Sequence, residues 1–142
     1  MEKEIRLLQT KFFIPRISGN LIHRERLTQI LASGKFSRVI LVSAPAGFGK
    51  TSLLTDWIHE SGEKPVWLTL DNNDNDPTRF MDYLINAFIY RKLPVLGKIL
   101  SENRSQFHGN LQQQMESLLN SIFDSGEKVT LVLDDFQHIH SQ

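Results

Sequence analysis

The sequence predicts an α/β fold, doubly wound about a parallel sheet. Apolar runs beginning at positions 38, 66 and 129 read as strands, continuous enough to be buried on both faces. Helical stripes separate them, and strands alternating with helices argue for a parallel sheet. Small or acidic residues collect where the first and last of these strands end, the edge at which such sheets hold ligands.

The elements follow in order. Residues 4–20 mix apolar and basic side chains without a clean period and read as an extended arm packed on the domain. Residues 21–32 are helical in tendency, with Leu27, Ile30 and Leu31 at helical spacing and Gly34 as a stop. The strand at 38–43 runs directly into Ala44-Pro45-Ala46-Gly47-Phe48-Gly49-Lys50-Thr51, and a helix follows to about residue 59 or 60. The strand at 66–70 empties into a polar loop at 71–77, where Asp76 is placed to cap a helix and Pro77 to occupy its first position. Over 78–92, Phe80, Met81, Leu84, Ile85, Phe88 and Ile89 form one stripe. Pro94 and Gly97 interrupt it, and 96–110 reads as short helix and loop. Leu111, Met115, Leu118, Leu119 and Ile122 give a further stripe, ended by Ser125-Gly126. The last strand, at 129–135, finishes in Asp134-Asp135.

Composition bounds the class. The 142 residues are 40% hydrophobic and 23% charged, with 16 basic and 16 acidic side chains and no cysteine. That is ordinary globular composition, and no charge block marks a DNA-binding face. The absence of cysteine excludes a disulfide framework and thiolate metal sites. The start lacks the layout of a signal peptide, and no apolar run approaches a membrane span, so a cytoplasmic protein with no membrane partner is expected.

The run from Ala44 to Thr51 fits the phosphate-loop pattern [AG]-x-x-x-x-G-K-[ST], and it lies between a strand and a helix, the context that gives the pattern meaning. Small residues at 44, 46, 47 and 49 let backbone N–H groups turn inward around a polyphosphate, while the helix aims its positive end at the same anion. Ala46, Gly47, Phe48, Gly49 and Ser52 form the expected cradle. Lys50 reaches the β and γ phosphates, and Thr51 offers its hydroxyl to Mg²⁺. Asp134 is the expected acidic partner of that metal, and Asp135 is the candidate to polarise an attacking water. Arg24 and Arg26 read either as a solvated face or as lying over a nucleotide base, and side-chain chemistry alone favours the first.

Three other features carry less. The loop at 71–76 has the oxygen spacing of a calcium loop, but Asp76 stands where glycine must allow the turn, and Asp82 where a bidentate Glu belongs. It reads as a cap-rich loop. His138 and His140 have no partner cluster, so they read as no metal site. Trp57 and Trp67 read as core aromatics.

The runs Leu8-Gln9-Thr10-Lys11-Phe12, Leu21-Ile22-His23-Arg24-Glu25-Arg26-Leu27, Val42 to Thr51, Trp67 to Asp71, Asp74-Asn75-Asp76-Pro77-Thr78-Arg79-Phe80 and Leu131 to Phe136 resemble the MalT-like, ATP-dependent LuxR-type transcriptional activators. These belong to the signal-transduction ATPases with numerous domains. The resemblance implies a three-layer α/β/α fold of the P-loop NTPase kind, with an N-terminal arm and helix over 1–37 and a partial nucleotide-binding domain over 38–142. It implies ATP or ADP as ligand, with Mg²⁺, and an inducer-controlled switch in which ATP drives self-association. It supports Lys50, Thr51 and Asp134 in the roles above and raises Arg24 to a base contact. His23 stands where this class often has glycine.

Members of that family continue past the acidic strand with a sensor arginine, a winged-helix segment, a helical-repeat sensor and a C-terminal helix-turn-helix. DNA is therefore expected to be met only through a domain outside these residues. The sheet is expected to be incomplete, without the strand that inserts beside the acidic one, and the piece poorly stable alone. Two further readings stay open: an independent small P-loop ATPase or kinase, and a truncated remnant that binds nothing. Turnover is undecided, and slow hydrolysis is the expectation if the site is active.

Overall fold

The computed structural model describes residues 7–16, 22–34 and 49–140. They fall into two compact units, Ile14–Lys64 and Met1–Phe13 with Pro65–Gln142. The strand expected at 38–43 and residues 44–48 of the phosphate loop lie outside the described residues.

In the first unit, α1 (Glu25–Ser33) packs on α2 (Lys50–Ser61). The helix expected from residue 21 starts only at Glu25, because Arg24 takes the non-helical N-cap conformation. Thr28 and Leu31 are the buried residues of α1, whereas Ile30 is 56% exposed. The expected stripe was therefore one position too wide. Thr28 is tolerated inside because its hydroxyl donates to the Glu25 carbonyl at 2.9 Å. From α2, Leu53, Thr55 and Ile58 are buried, and Trp57 is half-buried rather than core. Gly62 stops α2 in the left-handed conformation, its N–H returning to the Ile58 carbonyl at 3.1 Å.

In the second unit, β1 (Val66–Thr69) and β2 (Leu131–Asp134) pair in parallel, with Val66 opposite Leu131 and Thr69 opposite Asp134. Parallel strands need a long crossover. Here it is α3 (Pro77–Tyr90), α4 (Leu96–Glu102) and α5 (Leu111–Ser125). The α/β class with a parallel sheet is what the sequence led us to expect, and the architecture is consistent with an incomplete three-layer α/β/α fold.

The core of this unit is built on α3. Asp76 accepts the Arg79 N–H at 2.8 Å and Pro77 fills the first helical position, as expected. Met81, Leu84, Ile85 and Phe88 then face Val66, Leu68, Leu70, Leu96, Leu100 and Leu118. Burying each such side chain contributes about 1.5–3 kcal/mol, so α3 is held mainly by its face. It ends at Tyr90 rather than 92, since Lys92 turns left-handed with φ 55°. The 96–110 stretch resolves into α4 and a 3-10 turn, Arg104–Gln106. No side chain of its own N-cap closes α4; the Glu127 carboxylate accepts the Val95 and Leu96 N–H groups at 3.3 and 2.8 Å instead.

Asn110 and Gln113 form a reciprocal capping box at the start of α5. Its stripe is narrower than expected: Leu118 is 2% exposed, but Leu111 is 39% and Leu119 58%. The last strand is shorter than 129–135, for Asp135 leaves it with φ 59°. The described residues 7–13 of the N-terminal arm pack on this unit as expected but are not all extended. They make a 3-10 turn, Gln9–Phe12, whose Phe12 ring lies 6.0 Å from Tyr83 and 5.5 Å from Tyr90. Leu8 donates its N–H to the Tyr83 hydroxyl at 3.0 Å.

Candidate functional site

Gly49, Lys50 and Thr51 form the end of the phosphate-loop pattern that the structure describes, and Ser52 follows them. Gly49 is left-handed, φ 74° and ψ 32°, and caps α2, whose first three residues are Lys50, Thr51 and Ser52. Only glycine enters that conformation without steric cost. A helix start leaves its first N–H groups without helical partners and carries the positive end of the dipole. All four residues are half-buried. Ala46, Gly47 and Phe48 lie outside the described residues.

Arg24 joins them. Its Nη2 donates to the Gly49 carbonyl oxygen at 2.7 Å. Beside it, His23 bridges two carboxylates of α2, with Nδ1 2.7 Å from Asp56 Oδ2 and Nε2 3.2 Å from Glu60 Oε1. The hydrogen bond to Asp56 raises the imidazole above its ordinary pKa of 6.5; desolvation works against it, and the charges of Asp56, Glu60 and Glu25 add to it. Asp56 and Glu60 are legible in the sequence as one face of a helix, but nothing in the sequence pairs them with His23.

In the second unit, Asp134 ends β2 and is 6% exposed, with Oδ1 accepting the Asp135 N–H at 3.0 Å. Asp135 is half-buried and begins the turn out of the strand. The neighbouring strand leaves through Asp71 into a 3-10 turn, Asn72–Asn75, closed by a capping box in which Asp71 and Asp74 cap one another's backbone. This is the cap-rich loop expected in place of a calcium site.

That loop carries an ionic cluster that sequence reasoning missed. Lys11 bonds to Asp74 and, at 2.9 Å, to Asp71. Arg79 Nε reaches the other Asp74 oxygen at 3.3 Å, and both cations lie over the Tyr83 ring, at 4.5 and 4.8 Å. The hydrogen bond from Lys11 holds the Asp71 carboxyl below its ordinary pKa of 3.8; desolvation works against it, while the Asn73 N–H and the Lys11 and Arg79 charges assist. The lone signal was Lys11 within the arm.

The two strand exits are also stitched together. Asn75 donates to the His138 carbonyl and accepts the His140 N–H, both at 2.7 Å, and His138 Nδ1 meets Asn72 Oδ1 at 3.1 Å. Both histidines are thus tied to the neighbouring loop, and among the described residues no three acidic or histidine side chains gather to hold a metal.

No family model matches the chain, and no solved structure matches it. Curated sequences do. The chain is 36% identical over 137 residues to the HTH-type transcriptional regulator MalT of Serratia proteamaculans, which takes in 94% of this chain and 15% of that protein. It is 34% identical over 144 residues to MalT of Vibrio cholerae, with 95% and 15% covered.

This chain is similar to MalT.

The MalT likeness runs through nearly the whole sequence. A second likeness is of comparable strength: 35% identity over 127 residues to the serine/threonine-protein kinase PknK of Mycobacterium tuberculosis, covering 86% of this chain and 11% of the kinase. The chain therefore spans between 11% and 15% of the length of these relatives. One segment is shared by proteins whose names differ in activity. No helix among the described residues is long and apolar enough to cross a membrane.

Proposed function

We propose that this chain is the ATP-binding part of a signal-responsive transcriptional regulator of the MalT kind, with nucleotide acting as a switch. The observation that carries the reading is Gly49, left-handed and immediately ahead of a helix that opens Lys50-Thr51-Ser52, as the last turn of a phosphate-loop pattern requires. In this reading Ala46, Gly47, Phe48, Gly49 and Ser52 cradle the phosphates through backbone N–H groups, and Lys50 neutralises the β and γ phosphates. Thr51 and Asp134 are the proposed Mg²⁺ ligands, the hard oxygen donors that such an ion takes. Asp135 is proposed to orient a water for slow hydrolysis that resets the switch. The protein is cytoplasmic in this reading, ATP promotes self-association, and DNA is met through another part of the regulator.

The test is calorimetric titration with Mg·ATP of the chain and its Lys50→Ala variant. The expected result is binding that the substitution weakens at least roughly ten-fold, the loss of one charge-assisted contact. Equal binding by both would remove the phosphate-loop assignment.

The PknK likeness favours a second reading, in which the same nucleotide-binding module serves a serine/threonine kinase rather than a DNA-binding protein. The reading frame on either side of these residues separates the two: a helix-turn-helix supports the first, a kinase catalytic segment the second.

A further inference from the structure

The Gly49 carbonyl accepts two hydrogen bonds. One comes from the Leu53 N–H at 2.9 Å, the first helical bond of α2, and the other from Arg24 Nη2 at 2.7 Å. Both lone pairs of that oxygen are engaged, so the plane of the peptide between Gly49 and Lys50 is fixed. A trans peptide is planar, with its C=O and N–H antiparallel. Whatever fixes the Gly49 C=O therefore also fixes the direction of the Lys50 N–H, which lies at the positive end of the helix dipole.

Glycine at 49 also makes room for this contact. A Cβ at that position would lie 2.7 Å from Arg24 Nη2. The residue before Arg24 is tied to the same helix two turns further on, through His23 to Asp56 and Glu60. Donating to both carboxylates requires both ring nitrogens protonated. Residues 23 and 24 together lie along α2 as a splint, gripping its start at Gly49 and its face further on at Asp56 and Glu60.

We propose that Arg24 is a positioning residue for the phosphate-binding end of α2, acting through the Gly49 peptide to aim the Lys50 N–H at an oligophosphate, rather than through contact with a nucleobase. This rests on the nucleotide-binding reading above. The distinguishing prediction is that Arg24 matters equally to ligands with and without a base.

The experiment compares the full chain with Arg24→Ala and Arg24→Gln, titrated with Mg·ATP and with Mg·tripolyphosphate, which has no base. Both variants are expected to weaken the two ligands by the same factor, roughly ten-fold. A loss confined to ATP would overturn the proposal and return Arg24 to the base. Amide hydrogen exchange at Leu53, followed without ligand, separates this proposal from the reading beneath it. Faster exchange in either variant supports the grip on Gly49 even if neither ligand binds the parent chain, a result that would sink only the nucleotide assignment. Unchanged exchange in a folded variant overturns the grip itself, and Arg24→Gln serves if Arg24→Ala does not fold.

Discussion

The Lys11 ammonium lies against the Asp74 carboxylate, with 8% of one side chain exposed and 0% of the other. The pair joins the arm to the loop leaving β1 across 63 positions of sequence. Charges taken this far from water need every partner they have, and removing one leaves the other uncompensated. Arg79 and the Asp71 N–H stay on Asp74 when Lys11 is lost. Lys11→Met is therefore expected to destabilise the chain by about 3 kcal/mol, the low end for a broken buried pair. Urea denaturation checks it, and a loss below about 1 kcal/mol would mean that the pair behaves as a surface bridge.

Asp71 responds to acid. Its carboxyl titrates below 3.8 in the folded chain because Lys11 donates to it. The depressed folded value means that its stabilisation is present above the unfolded pKa and is lost as pH falls through the folded one. Its side chain is 46% exposed, so the contribution is modest. Between about pH 5 and pH 2, the fall in urea midpoint is expected to be shallower for Asp71→Asn than for the parent, and parallel curves would count against the Lys11 contact.

His23 has the opposite sign. Its folded pKa is raised above 6.5, chiefly by the hydrogen bond to Asp56. The stabilisation is complete below 6.5 and is lost as pH climbs through the raised folded value. Thermal midpoints measured upward from pH 6 are expected to drop more for the parent than for His23→Ala. The imidazole C2 proton in NMR titration gives the raised value directly, and an unshifted titration would remove the bridge.

At Gly49, alanine is expected to act in two ways. The left-handed backbone costs roughly 1–2 kcal/mol for a residue with a Cβ. The new methyl also displaces the Arg24 guanidinium, whose Nη2 it would meet at 2.7 Å. Gly49→Ala should therefore reproduce the faster Leu53 exchange of the Arg24 variants while Arg24 is still present. Normal exchange at Leu53 would show that the guanidinium finds another route to the carbonyl.

The sequence was legible where its signals are local. The stripe of α3, its Asp76 cap and Pro77 are neighbours in sequence, and that helix came out within two residues of its bounds. Gly126 ended α5 as read, because a left-handed stop is a property of one residue. What escaped was set by long-range contacts. Periodicity names a face but not what covers it, so Ile30 and Leu119 fall on the helical stripes and yet stand exposed. The place of Asp134 at the end of a strand could be read from the apolar run before it. The bond from Arg24 to Gly49 could not, because it joins two segments 25 positions apart through a backbone oxygen that has no sequence signature. Lys11 was hidden for the same reason, a single cation whose partners lie 60 and 63 positions away.

Asn75 holds the backbone of both His138 and His140, so the loops that leave β1 and β2 share one set of fastenings. Mechanically they form a single lip, and neither can be lifted without straining the other. A displacement beginning at Asp135, where the second strand turns out, is passed within one side chain to the Asn72–Asn75 turn and on through Asp74 to the arm at Lys11. The lip should open as one cooperative piece, with the amides of 72–75 and 136–140 exchanging at a common rate.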